Sequence, residues 1–198
     1  SCDSDLFLSI DKKLQADREV ILAAVENDPD CLEYVSEELE VYPEVVMEAI
    51  ISENQDSNAA EYIADSLLKD KTFMLKALDT LVDYDLICTR SPHILIANAG
   101  ESLWKDKEFV IRALDIVGEA FSEDYLLRYV TYCIDSFEVL LNTIDKSLSS
   151  DKEIILKAFE WNKKHKHNDM DFGLNVLEYT SEELKNDPEF MKEVEQYL

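Results

Sequence analysis

Two histidines one residue apart, His165 and His167, stand among Lys163, Lys164, Lys166, Asp169 and Asp171. Imidazole and carboxylate come together here, and these are ligand types that a transition metal accepts. A stable metal site needs three or four ligands oriented by a second layer of hydrogen bonds. His165 and His167 are therefore candidate ligands in a segment that otherwise reads as a solvated basic loop after a helix ending near Trp161. The neighbouring run Asp169-Met170-Asp171-Phe172-Gly173 begins like a calcium loop. Its glycine comes one place early, and Thr180 stands where a bidentate glutamate belongs.

Other chemistries leave fewer traces. Gly100, Gly118 and Gly173 are isolated, so no Gly-rich loop is present to cradle a phosphate. No serine sits in a nucleophile elbow, and His93 follows Pro92 with no cysteine or serine motif around it. A triad could assemble only in space. Carboxylates are so abundant that a pair of them carries no information. The sequence thus names no catalytic and no cofactor-binding residue, and an enzyme whose site forms only between distant segments is kept as an alternative. Cys2, Cys31, Cys88 and Cys133 are scattered without a Cys-x-x-Cys pair, so neither a zinc site nor a disulfide framework is signalled.

The charge is more informative. Lys and Arg number 19 against 44 Asp and Glu, for a net charge of −25 over 198 residues. Between Glu19 and Leu68 there is no Lys, Arg or His. Such a field repels nucleic acid and anionic membrane and attracts cationic protein surfaces. It also keeps helix surfaces solvated. A decoy that imitates the phosphates of DNA is an alternative reading, opposed by Lys69, Lys71, Lys76, Lys105, Lys107 and Arg112 interspersed further along.

Scattered thiols favour a cytoplasmic setting. No run has the length of a membrane span, and the first residues lack the basic start and apolar centre of a signal peptide. A chain opening on Ser1 reads as a processed or trimmed form. Cys2 leaves a processed lipoprotein open, and a secreted effector is a further possibility.

What would position any of these groups is a repeat. Leu14, Leu39, Leu67, Leu103, Leu148 and Leu184 each precede by three residues Asp17, Tyr42, Asp70, Asp106, Asp151 or Asp187, a helix-capping aspartate in five of the six. Two positions later come Glu19, Glu44, Thr72, Glu108, Glu153 and Glu189, acids placed where the helix dipole favours negative charge. Pro43 and Pro188 fall at the first helical position, where a missing N–H costs nothing. Apolar pairs one turn apart follow, as in Val20, Ile21, Ala24 and Val25, and line one helical face. The tenth residue from each leucine is small: Ala24, Ala49, Ala77, Ala113, Ala158, then Val194. Small side chains there allow close approach of a neighbouring helix.

Before each leucine lies a second phrase, clearest as Leu32-Glu33-Tyr34-Val35-Ser36-Glu37-Glu38 and Leu177-Glu178-Tyr179-Thr180-Ser181-Glu182-Glu183, and blurred at Ala60-Glu61-Tyr62. Each unit is therefore a short helical segment ending near Ser-Glu-Glu-Leu and a longer helix starting at the cap. The leucine spacings of 25, 28, 36, 45 and 36 residues imply unequal insertions. The longest, from Ser122 to Ser136, predicts an extra helix. Few glycines and prolines and no alternating strand pattern leave one fold class: all-α, an irregular α-solenoid of about six helix-pair repeats forming a single domain over residues 1–198. In the last unit Lys192 and Glu195 replace apolar residues, the polar face that a terminal repeat needs.

With Leu32 to Val46 and Leu177 to Phe190 on the page, the pattern resembles a short tandem helical repeat family of unknown function in bacterial proteins, including secreted effectors. The resemblance implies helix-pair repeats and a bacterial source. It supplies no catalytic residue.

The expected function is a protein-interaction module without activity of its own, whose acidic surface docks a basic protein or peptide. No cofactor is implied. Tyr34, Tyr62 and Tyr179 share one repeat position, as do Phe73, Phe109 and Phe190, and recurring aromatics read as packing between units. Tyr84, Tyr125, Tyr129 and Tyr132 lie in the insertions and are the candidate partner anchors.

Overall fold

The computed structural model describes residues 3–52, 59–83, 91–119, 138–165 and 175–197. These residues form helices and 3-10 turns, with no strand among them. In chain order the α-helices are α1 (Asp3–Ser9), α2 (Arg18–Asn27), α3 (Tyr42–Ser52), α4 (Asp65–Leu68), α5 (Lys71–Asp83), α6 (Ser91–Asn98) and α7 (Lys107–Glu119), followed by α8 (138–143), α9 (Lys152–His165), α10 (Glu182–Lys185) and α11 (Pro188–Val194).

The long helices start where their caps dictate. Asp17 is extended, and its carboxylate accepts from the Glu19 and Val20 amides at 3.1 and 3.3 Å. Asp70 takes the Phe73 amide at 2.8 Å and Asp106 that of Phe109 at 3.0 Å. Asp151 and Asp187 hold the first amides of α9 and α11 in the same way. Each satisfies donors that a helix leaves open at its N-terminus. Helix α3 begins at Tyr42 itself, which moves Pro43 to second place, still within the turn whose N–H groups have no helical acceptor.

Short segments are tighter than the sequence suggests. The Leu-Glu-Tyr phrase forms 3-10 turns at Pro29–Tyr34, Ala59–Tyr62 and Val176–Tyr179. The following phrase adds one α turn, α4 or α10, with Ser181 capping the latter through the Leu184 amide at 3.3 Å. Where the phrase is degraded, α6 and α8 stand in its place, each followed by a 3-10 turn at the repeat leucine, Leu103–Lys105 and Lys146–Leu148.

The long helices pack in series, α2 on α3, α3 on α5, α5 on α7, α7 on α9 and α9 on α11. One continuous apolar cluster runs from Phe7 to Val194. Burial gives the faces a direction. The sixth and tenth residues after each leucine are buried at Val45 and Ala49, Phe73 and Ala77, Phe109 and Ala113, Ile154 and Ala158, and Phe190 and Val194. They are half-buried only at Val20 and Ala24 of α2, the helix that α1 precedes and contacts. That face looks back along the series. The seventh and eleventh residues are buried from α2 to α9, and at α11 become half-buried Met191 and exposed Glu195. That face looks forward.

Two sets of polar links repeat along the series. In the first, an amide three residues before a leucine reaches the carbonyl just after the previous one: Gly100 to Leu68 at 2.9 Å, Asp145 to Trp104 at 3.1 Å, Ser181 to Ser149 at 2.9 Å. A Cβ on Gly100 would lie 2.7 Å from Lys69 Cγ and 3.3 Å from its Cα, so a side chain here would force Lys69 to shift. In the second, the base at the first helical position reaches the start of the next long helix. Lys71 Nζ lies 2.9 Å from Asp106 and 2.6 Å from Glu108. Lys107 lies 2.8 Å from both Asp151 and Glu153, and Lys152 lies 2.6 Å from Asp187. Arg18 grips Glu44 with both arms of its guanidinium, its Nε at 2.9 Å.

Lys71, then the Phe109 amide, holds the Asp106 carboxyl below the usual aspartate range, and Lys152, then the Phe190 amide, does the same for Asp187. Between α3 and α5 the link has no base to start from, since Pro43 stands at its position, and Thr72 replaces the second acid.

Candidate functional site

The recurring tyrosines end the 3-10 turns and stand at the surface of the short-segment layer. Tyr34 is 39% exposed, and Tyr62 and Tyr179 are half-buried against the core. A 3-10 turn is narrow and stacks every third side chain, so the tyrosine and the glutamate before it emerge on adjacent faces. Around Tyr62 stand Glu33, Asp30 and Glu61; burial first, and then these three carboxylates, push its phenol up. Tyr179 is raised by burial and then by Glu138 and Glu178, with Asn142 acting in the opposite direction.

Grooves lie along both segments: residues flanking Tyr62 line one, and Tyr179 itself lines the other. One of about 590 Å³ opens between the segment 60–68 and α6, lined by Ala60, Glu61, Ile63, Asp65, Leu68, Ile94, Ala97 and Asn98. Its charged lining is acidic only, with Asp65 paired to Lys69 at 2.6 Å. Another of about 410 Å³ lies between α8 with its following turn and the Val176–Tyr179 turn, and includes Asn142, Asp145, Lys146, Glu178 and Tyr179. In its wall the buried Thr180 hydroxyl donates to the Val176 carbonyl at 3.0 Å. Carboxylates beside a tyrosine face suit an ammonium or guanidinium group, which gains from both.

Residues 1–40 match the profile of a domain of unknown function, DUF4116. The matched stretch comprises α1, α2, the Pro29–Tyr34 turn and the Ser-Glu-Glu-Leu phrase through Leu39. It agrees with the expectation of a family without an assigned function. No curated protein and no solved structure matches the chain.

The residues singled out in the sequence fare differently. Tyr84, Tyr125, Tyr129, Tyr132 and His167 lie outside the described residues, as does the helix expected over Ser122 to Ser136. Helix α9 runs on to His165, beyond the end expected near Trp161, so Lys163 and Lys164 belong to its last turn rather than to a loop. Bases there complement the helix dipole. Lys163 Nζ also lies 2.6 Å from the Gln196 carbonyl and 5.3 Å from the Tyr197 ring, which extends the favourable contacts. Among the described residues no group of three His, Cys, Asp or Glu is placed to hold a metal ion. No helix among them is long and apolar enough to cross a membrane. The acid-ringed tyrosines, by their recurrence in the sequence, read as packing between units, and this accounts for the rings but not for the acids around them. The signal that marks them otherwise is the glutamate preceding each one, Glu33, Glu61 and Glu178, which packing does not require.

Proposed function

We propose that the chain is an irregular solenoid of about six helix pairs that works as a non-catalytic binding module, its acidic short-segment face docking a basic segment of a partner protein. The observation that carries this reading is Tyr62, half-buried among Glu33, Asp30 and Glu61, the last of which lines a groove whose charged lining is acidic. The serial packing of α2, α3, α5, α7, α9 and α11 supports the stack.

The mechanism is electrostatic and geometric. The field of a chain with net charge −25 draws a cationic segment in and speeds encounter. A lysine or arginine then lies over the Tyr62 ring between the carboxylates, and its neighbours enter the groove beside Ile63 and Ile94. Between Glu19 and Leu68 the chain carries acids and no base, and this stretch provides the docking face.

The test is selection of binders from a random peptide library displayed on phage. Peptides rich in lysine and arginine, released by moderate salt, are expected. Recovery of uncharged or acidic peptides whose binding ignores salt overturns the reading.

A further inference from the structure

The sixth and fifth residues before the repeat leucines Leu39, Leu67, Leu103, Leu148 and Leu184 are Glu33-Tyr34, Glu61-Tyr62, Ala97-Asn98, Asn142-Thr143 and Glu178-Tyr179. The first residue of every pair is exposed. The last four pairs each stand two residues before the amide that ties their segment to the unit before it. Those amides belong to Ala64, which meets the Tyr42 hydroxyl at 3.1 Å, and to Gly100, Asp145 and Ser181, which meet main-chain carbonyls. A tether at one fixed offset in successive units sets the pairs in a row along the short-segment layer.

The row is acidic and aromatic toward both ends and uncharged between them. Tyr62 has Glu61 from its own unit and Glu33 and Asp30 from the one before; Tyr179 has Glu178 from its own and Glu138 from the one before. The two clusters thus share one construction, and Ala97, Asn98, Asn142 and Thr143 separate them. Beside Tyr179 the groove of about 410 Å³ has half-buried Ile144 and Leu148 in its lining, with the acids Asp145 and Glu178 against the one base Lys146. It therefore offers room for an apolar side chain next to a place for a cation.

The two tyrosines are three units apart. Packed helices stand about 8–10 Å from one another, so three steps cover about 24–30 Å, which an extended chain crosses in about seven to nine residues.

We infer that the partner is a single extended peptide with two basic pairs about eight residues apart, one received at Tyr62 and the other, next to an apolar residue, at Tyr179, with uncharged residues over Ala97 to Thr143. The inference rests on the docking of a basic segment proposed above and specifies that segment. Two modest contacts on one chain reinforce each other only when their spacing matches the span, so spacing, and not total charge, selects the partner.

The test compares two synthetic peptides of identical composition by titration calorimetry against the full chain. In one, Arg-Lys and Leu-Arg-Lys are separated by five glycine and serine residues; in the other those five are moved to the end, which brings the basic pairs together. The spaced peptide is expected to bind at least about tenfold more tightly, and Glu178→Lys is expected to remove that advantage while binding at Tyr62 persists. Circular dichroism checks that the variant keeps its helices, and should Glu178→Lys disturb the turn, Glu138→Lys makes the same comparison. Equal, salt-sensitive binding of the two peptides overturns the inference and leaves the basic-segment reading intact, as does an advantage that survives the substitution. Absence of salt-sensitive binding by either peptide overturns both.

Discussion

The Tyr42 hydroxyl accepts the Ala64 amide at 3.1 Å and donates to the Tyr62 carbonyl at 3.2 Å. Ala64 is the position whose counterparts Gly100, Asp145 and Ser181 bind a main-chain carbonyl of the preceding unit. At this junction a side chain takes over the link, which explains why Tyr42 replaces the aspartate found at the other five caps. Burial raises its phenol, against the pull of the Ala64 amide. Tyr42→Phe leaves that amide and carbonyl without their partner and is expected to destabilise the fold by about 1–3 kcal/mol. Urea denaturation measures it, and a change below about 0.5 kcal/mol would refute the role.

Asp106 caps α7 and receives Lys71 from α5. Removing the carboxylate with Asp106→Ala costs about 1 kcal/mol for the cap. Asp106→Asn keeps the capping acceptor and is expected to lose less, since an exposed ion pair contributes little. Thermal melts of the two variants side by side give the order, and equal losses would show that charge, not capping, dominates.

Ala113 is fully buried at the backward face of α7, while Ala24 is half-buried on α2. Ala113→Leu overpacks the α5–α7 contact and is expected to cost about 1–3 kcal/mol. Ala24→Leu falls on a face that is only half-buried and is expected to change stability by at most about 0.5 kcal/mol. Denaturant midpoints of both variants check the asymmetry.

The pH profile follows from two opposed effects. Asp106, Asp145 and Asp187 are held below their ordinary value of 3.8 by Lys71, Ser147 and Lys152 respectively. Burial works against Asp151, but Lys107 and the Ile154 and Glu153 amides outweigh it and lower it too. A depressed carboxyl gives stability that is present above the unfolded value and lost as pH falls below it, because the unfolded chain takes up protons first. Meanwhile partial protonation of other acids relieves the self-repulsion of a net charge of −25. The melting temperature is therefore expected to rise from pH 7 toward about 5 and to fall below about 4. Added salt is expected to raise it at pH 7 by screening. A monotonic decline from pH 7, unaffected by salt, would contradict this account.

Helix starts were legible because capping is local. Asp17, Asp70, Asp106, Asp151 and Asp187 each act within three residues of themselves, and the structure puts a long helix after every one. The alanines at the tenth position were legible too, since only close packing explains their recurrence. The short segments look helical in sequence and are mostly 3-10 turns, because a run of four residues has no periodicity that separates the two. The lysine links were invisible as links. Each joins residues about 35 to 45 positions apart, and pairing at that distance becomes visible only once the long helices are stacked side by side. The acid-ringed Tyr62 was missed for the same reason, as Glu33 and Asp30 reach it from another unit. Sequence alone pointed instead to the tyrosines that interrupt the repeat.

The most direct test of the docking account is the affinity of one selected lysine- and arginine-rich peptide for the wild-type chain and for Glu33→Lys/Glu61→Lys, measured by titration calorimetry at low and high salt. The account predicts at least about a tenfold loss in the double variant, and a weakening with salt in the wild type that the variant no longer shows, since about 1.4 kcal/mol corresponds to that factor. Equal affinity of the two proteins, unchanged by salt, would contradict it.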